Sequence, residues 1–388
     1  VHKTVGIFVD RIVEALKTEE VRPEIWFVVV PDIVYEFCRP QSNVSADVRI
    51  KATNRLRPRT AKRLRAAPSL FEQENVNAVP YQYDADFHNQ IKARLLPSMA
   101  LTQIVRESTV FPVVGVAEEN RPRNDSRKFQ AAIAWNIGTA AFYKAGGRPW
   151  KIDGIRDGVC YIGLVFKKDE TQGDPRSACC AAQMFLDSGD GMVFKGAVGP
   201  WYSGKPGDFH LSRDAARELI AVALRSYEGK GLGPPSELFL HGQVDFNDDE
   251  WRGFCEAVDT SKTNLVGIKI RSDSDLRLFR GGTRPVLRGT AYVRHARSAY
   301  LWSKGFAPRL RTYIGREVPR PLRIDIVRGA ADIEVVLRDV LALTKLNYNT
   351  CLLADGIPVT LRFADAVGEI LTAGPNSGDN PLPFKHYI

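Results

Sequence analysis

The sequence predicts an α/β chain made of two successive units, and three observations predict it. Short runs rich in Val, Ile and Phe alternate with segments of helical period, as in Ile25–Val30 against Val5–Leu16. Gly146-Gly147 with Pro149 behind them stop a helix, which sets a first unit at 1–147 and a second at 148–388. A chain of 388 residues that is 44% hydrophobic has enough apolar material for two packed cores.

In the first unit, Val5 to Leu16 reads as a helix. Ile25-Trp26-Phe27-Val28-Val29-Val30 is a continuous apolar run stopped by Pro31, the pattern of a strand covered on both faces. Residues 49 to 65 carry eight Lys and Arg with no acid among them, which reads as a solvated or mobile loop able to meet phosphates. Phe87, Ile91 and Leu95 then recur at i, i+4 and i+8 and make the buried stripe of a helix. His88 and Lys92 share that spacing one position further round, so they flank the stripe and border the core without entering it. Two such groups one turn apart suit a phosphate. Leu101 to Val105 is a short strand, 118–128 a polar loop, and Ala131 to Lys144 a helix.

The second unit opens with the strand Val159 to Phe166. Ala181–Leu186 and Met192–Val198 flank an Asp-Gly turn and read as a hairpin. Ser212 caps a helix to about Tyr227, Glu237–Gln243 is a strand, and Asn247 starts a helix through Val258. Leu265–Ile270 is a further strand, more strands lie between Thr290 and Ile326, and helices fall near 332–346 and 360–371. Three strands, helix, strand, helix is the order of a ribonuclease-H-like core.

Composition narrows the function without naming it. No apolar run approaches the roughly 20 residues that span a bilayer, and no signal peptide is visible at Val1; the cytoplasmic placement expected rests on the cysteines. The six cysteines show no metal-binding spacing and read as reduced thiols. A net charge of +9 favours a polyanionic partner, but fits nucleic acid, acidic protein and anionic membrane alike.

Five segments in order sharpen this: Ala134-Trp135-Asn136-Ile137-Gly138 through Lys144 to Trp150; Tyr161-Ile162-Gly163-Leu164; His241-Gly242-Gln243-Val244-Asp245-Phe246-Asn247 through Trp251; Leu343-Thr344-Lys345-Leu346-Asn347-Tyr348-Asn349; and the ending Pro381 to Ile388. Together they resemble the MID and PIWI domains of the short prokaryotic Argonautes, which lack the N-terminal and PAZ domains. The resemblance implies a Rossmann-like MID domain followed by a ribonuclease-H-like PIWI domain, with the C-terminus returning to the MID pocket. It also implies that a guide strand's 5′-phosphate is held by His88, Lys92, Gln103 and Lys144. A Mg²⁺ ion there would be held by the C-terminal carboxylate of Ile388. The chemistry agrees: a terminal phosphate carries nearly two negative charges, which calls for several donors. Guide-backbone contacts are expected from Lys345, Asn347, Asn349, Thr360 and Arg362.

In cleaving members of the family, carboxylates hold two metal ions across the scissile phosphate. Here the corresponding positions are Val165, Gln243 and Ile388, so a catalytically inactive guide holder is expected, with no catalytic residues. The resemblance further implies a guide RNA, a complementary single-stranded DNA target and an APAZ-containing effector protein. A TIR-APAZ partner is favoured and a sirtuin-like-APAZ partner is the alternative. Such a pair would deplete NAD in defence against plasmids and phages, with room for a higher oligomer of heterodimers on activation. Two other readings stay open: a catalytically active guide-directed nuclease, and a general basic RNA-binding protein.

Overall fold

Val5, Val9 and Ile12 recur at helical spacing, and in the computed structural model of the chain they are the buried stripe of helix α1, His2–Thr18. The structure describes residues 1–20, 23–40, 56–110, 127–150, 156–168, 177–185, 191–200, 209–347 (without 230, 232, 274, 314 and 316), 356–375 and 382–387, with 177–185 and 191–200 as backbone alone. After α1 come β1 (Trp26–Val30), α2 (Asp32–Phe37), α3 (Pro58–Ala66), α4 (Glu72–Ala78) and α5 (Phe87–Leu95). Then follow β2 (Thr102–Arg106), α6 (Glu107–Val110) and α7 (Arg127–Lys144).

Strands β1 and β2 pair in parallel, with Val28 opposite Ile104. Val28 and Val30 join Val5, Val9, Phe87, Ile91 and Leu95 in one core. Phe27 and Val29 point the other way and stay 51% and 36% exposed, so β1 is not covered on both faces as its apolar run predicts. The core that β1 enters is built on one side of the strand, with α1 and α5. The basic run also departs from expectation. Its second half is helix α3, started by Pro58 and ended by Arg63 and Arg65, where cations complement the helix dipole. Ala61 and Leu64 seat it against Ala78 of α4. The other half of that run, 49–55, and residues 118–126 of the polar loop lie outside the described residues.

The second part of the chain runs β3 (Val159–Lys168), β4 (Ser177–Phe185), β5 (Gly191–Pro200), α8 (Arg213–Glu228), β6 (Glu237–Gly242), α9 (Asp248–Glu256) and β7 (Asn264–Ser272). It ends with β8 (Ala291–His295), β9 (Ser298–Leu301), β10 (Leu322–Arg328), α10 (Ile333–Leu343) and α11 (Val359–Leu371). These strands form one mixed eight-stranded sheet in the order β5-β4-β3-β6-β7-β10-β9-β8. β3, β6 and β7 are parallel, and β4 and β5 form the expected hairpin. The side chains of β3 alternate with the strand period. Cys160, Ile162 and Leu164 face a core with Leu219 and Ile220 of α8 and Phe254 of α9. Tyr161 and Val165 face the other core, with Val340 of α10 and Phe363 and Val367 of α11.

Contacts from α5 and from the C-terminal turn connect this sheet to the earlier elements. Ala93 and Leu96, at the end of α5, pack into the core of α10 and α11. Near the C-terminus, Phe384 opens a 3-10 turn, Phe384–His386, and stacks on Phe363 of α11 at 4.0 Å. The same turn packs against α7, and His386 within it lies close enough to Lys92 of α5 to feel its charge.

Candidate functional site

Asp86 caps α5: its carboxylate accepts from the amides of His88 and Asn89. That cap and the Phe87–Ile91–Leu95 stripe set the helix rotation, which turns His88 and Lys92 toward the start of β2. Lys92 goes further than its spacing predicts. It is 2% exposed, not a flank residue, because its Nζ reaches inward to donate to the carbonyl oxygen of Thr102 at 2.6 Å. Lys144, in the last turn of α7, is 1% exposed and donates to the same carbonyl at 2.8 Å and to Gln103 Oε1 at 2.7 Å. Two ammonium groups thus share one acceptor.

The hydrogen bonds from Lys92 and Lys144 to Thr102 and Gln103 go to neutral oxygens. Burial, then the neighbouring Lys144, holds Lys92 well below the ordinary lysine range. Burial also pushes Lys144 down to about 7, against a hydrogen bond with Lys92 that raises it. His88 keeps exposed surface at the mouth of the cleft but is walled in by protein. Desolvation first, then Lys92, push it down to about 4, so its ring is neutral at physiological pH. His386 joins from the C-terminal turn. Burial, then Lys385 and Lys92, push it down to about 4, and its buried Nδ1 has no hydrogen-bond partner.

His88, Lys92, Gln103 and Lys144 line a single cavity of about 270 Å³. Its wall also includes Tyr35, Arg39 and Arg106, which sequence reasoning did not single out, and the carboxylate-bearing Asp86 that caps α5. Arg39 and Arg106 lie against the Tyr35 ring, at 4.2 and 4.0 Å from its centroid. Arg106 is held by Asp32, which also accepts from Ser108. A desolvated cavity with two lysine amines, two guanidinium groups at its wall and a neutral imidazole suits a compact dianion such as a terminal phosphate.

Among the described residues no three His, Cys, Asp or Glu side chains converge as a metal set. Thr102 O and Gln103 Oε1, the oxygens at the centre of the site, already accept from lysine. Ile388, whose carboxylate the sequence reading assigns to the metal, lies outside the described residues.

The expected guide-backbone residues divide. Lys345 and Arg362 are on the surface, whereas Asn347 is 5% exposed and Thr360 fully buried. Thr360 differs from the surface placement expected of it because the first turn of α11 lies on β3, where its hydroxyl meets His241 Nδ1 at 2.9 Å. Asn349 lies outside the described residues.

At the C-terminal ends of the parallel strands, Val165 sits in the core at 4% exposed and Gln243 is on the surface. Two carboxylates that sequence reasoning passed over stand nearby, Asp365 and Glu369, one turn apart on α11. Lys167 of β3 binds both, at 2.7 and 3.3 Å. Burial opposes its charge, but the two carboxylates raise its pKa above the ordinary lysine value.

Comparison with known proteins agrees with this architecture. No protein-family model matches the chain. The Argonaute protein of Aquifex aeolicus is 20% identical over 306 residues, covering 79% of this chain and 38% of that protein. The structure of Clostridium butyricum Argonaute bound to a guide DNA and a 19-mer target DNA superposes with a TM-score of 0.59 at 14% identity, over 94% of this chain and 50% of that one. Aquifex aeolicus Argonaute with externally bound siRNA gives a TM-score of 0.55 at 15% identity, over 95% and 51%. The chain therefore has an Argonaute-like fold, consistent with a MID and ribonuclease-H-like PIWI arrangement, and is similar in sequence to that family. It spans between 38% and about half of the length of these relatives.

Proposed function

We propose that this chain holds the 5′-phosphorylated end of a guide RNA in the Lys92–Lys144 cavity and presents that strand for pairing with single-stranded target DNA. One observation carries the reading: His88, Lys92, Gln103 and Lys144 come from two helices and a strand, yet line one cavity, with both lysine side chains buried at its wall. A similar fold has been solved with guide and target DNA in place, which supports a strand-binding role. Sequence would be read by base pairing and the protein would recognise the backbone of the duplex.

In this reading the chain does not cut its target, because β3 offers Val165 where a metal ligand would be required. Signalling then falls to a partner: an APAZ-containing effector, TIR-APAZ in preference to sirtuin-like-APAZ, which would deplete NAD in cytoplasmic defence against plasmids and phages. That assignment rests on the sequence resemblance. A Mg²⁺ ion would join the phosphate only through the chain's own C-terminal carboxylate.

The experiment compares strands of one sequence with a 5′-phosphate or a 5′-hydroxyl. Lys92→Ala should weaken binding of the phosphorylated strand by roughly tenfold or more, as loss of a charge-assisted contact does. Binding of the hydroxyl strand should change little. Equal loss for both strands would reduce Lys92 to a structural lysine and favour a general basic RNA-binding protein.

A further inference from the structure

Helix α7 has a second face that the 5′-end cavity does not use. Ala131, Ala134, Trp135, Gly138 and Phe142 are all exposed, and the helical turn lines them up along one stripe about three turns long. Thr139, Ala140 and Lys144, on the other side, are buried. Trp135 and Phe142 remain 53% and 55% exposed. From Phe129 to Tyr143 the helix carries no charged residue. A helix at a protein surface ordinarily sets charge opposite its buried stripe, and one whose outer face is apolar too is a helix covered on both sides.

Two details mark the stripe as a docking face. Gly138 sits in the helix interior, where glycine is less stable than alanine, yet a Cβ there would meet no atom within 4 Å. Packing within the described residues does not require position 138 to be small. It leaves a notch between Trp135 and Phe142 with room for a side chain from another molecule. Phe142 is seated at the helix end, where Gly147 N donates to its carbonyl oxygen at 2.8 Å. A Cβ on Gly147 would lie 2.5 Å from the Phe142 ring, so glycine there leaves the ring in place before any partner arrives.

The chemistry of the stripe selects the class of occupant. A nucleic acid needs cations for its phosphates, and a helix lying in a lipid surface carries Lys and Arg beside its apolar face. The stripe offers neither. An uncharged apolar surface with an aromatic anchor at each end of a notch fits the core of a protein interface. The solved Argonautes that superpose on this chain also carry about as much chain again beyond the superposed part. In those relatives the fold is accompanied by protein that has no counterpart here.

We propose that the Ala131–Phe142 face of α7 docks a second protein chain, which lays an uncharged apolar helix along the stripe and places a side chain in the Gly138 notch. The docking is helix on helix, with a ridge of the partner entering the groove that Gly138 leaves open. The proposal rests on the reading above that an APAZ-containing effector accompanies this chain, and adds the surface where it binds.

The test co-expresses this chain with the APAZ-containing effector and measures the Kd of the pair. Trp135→Asp should weaken the complex roughly tenfold or more, as loss of an interface anchor does. Gly138→Leu separates docking from folding. The free chain has space for that side chain and gains helix propensity, so its melting temperature should hold or rise. The filled notch should nevertheless weaken the complex to a similar degree. Both variants should keep the preference for a 5′-phosphorylated strand, because Lys92 and Lys144 are untouched. If both bind the effector as tightly as the parent does, the effector docks elsewhere and the proposal falls while the partner reading stands. If the parent itself does not bind the effector, the partner reading falls and takes this docking site with it. A free chain that light scattering shows to be a dimer, and that Gly138→Leu returns to a monomer, would make the stripe a contact between copies and overturn the proposal as well.

Discussion

Lys92 and Lys144, from different helices, place their Nζ atoms on the same carbonyl oxygen of Thr102, at 2.6 and 2.8 Å. Burial penalises the charged form of both lysines, and Lys144 adds repulsion at Lys92. The ligand-free state accordingly favours loss of a proton, with Lys144 at about 7.

The sign of the resulting pH dependence follows. Between about pH 7 and pH 10 an unfolded lysine binds a proton that folded Lys144 does not, so the stability of the strand-free protein rises with pH across that window. Below pH 7 the unfavourable charging is fully present. A bound phosphate dianion restores the protons, so binding of a 5′-phosphorylated strand at pH 8 should take up about one proton or more. Calorimetry in two buffers of different ionisation enthalpy measures this. Binding without proton uptake would show that both ammonium groups are already charged in the free protein.

Lys92→Met keeps the length of the side chain and removes the ammonium group. The strand-free variant should be more stable than the parent by roughly 1 kcal/mol, as happens when a group retained for function is replaced by a well-packed apolar one. The same variant should lose its preference for a 5′-phosphate. Thermal unfolding without nucleic acid is the check. A lower melting temperature would mean that the Lys92–Thr102 hydrogen bond outweighs the cost of burying the charge.

How much of this was legible depends on the distance over which each signal acts. Helix starts at Asp86, Ser212, Asn247 and Asp332 were local, since each side chain caps amides two to three residues away. The alternation of helix and strand was local too, and the fold class followed from it. The depth of Lys92 was not local, because it depends on where β2 places Thr102 O. Tyr35, Arg39 and Arg106 carried no motif. They become one wall of the cavity only when α2 and the end of β2 meet. Asp365 and Glu369 are a visible i, i+4 pair, but their meeting with Lys167 needs α11 packed on β3.

That packing rests on a glycine. A Cβ at Gly163 would lie 2.1 Å from Thr360 O, and both the strand and the helix backbone are fixed there. Gly163→Ala should therefore cost about 3 kcal/mol, at the upper end for overpacking. Thr360→Val keeps the shape but leaves His241 Nδ1 facing a methyl group, for a loss of about 1–3 kcal/mol. Burial already pushes His241 down to about 3, so the ring stays neutral and cannot recover the loss by protonation near pH 7. Urea denaturation of the two variants tests both. Little change in Gly163→Ala would mean that α11 can shift away from β3.

The Lys167 bridge bears on cleavage. A two-metal mechanism needs carboxylate oxygens free to bind ions about 3.5–4 Å apart. Here the α11 carboxylates already hold an ammonium group, and Val165 two residues earlier supplies no ligand. Guide-loaded protein incubated with Mg²⁺ or Mn²⁺ and a matched DNA target should leave that target intact. Lys167→Ala should leave it intact too, because freeing Asp365 and Glu369 does not replace the missing β3 carboxylate. That variant should lose only a few tenths of a kcal/mol, from like charges one turn apart on an exposed helix face. A cut opposite the middle of the guide, in either protein, would overturn the inactive reading and mean that ligands outside the Val165 position complete the metal site.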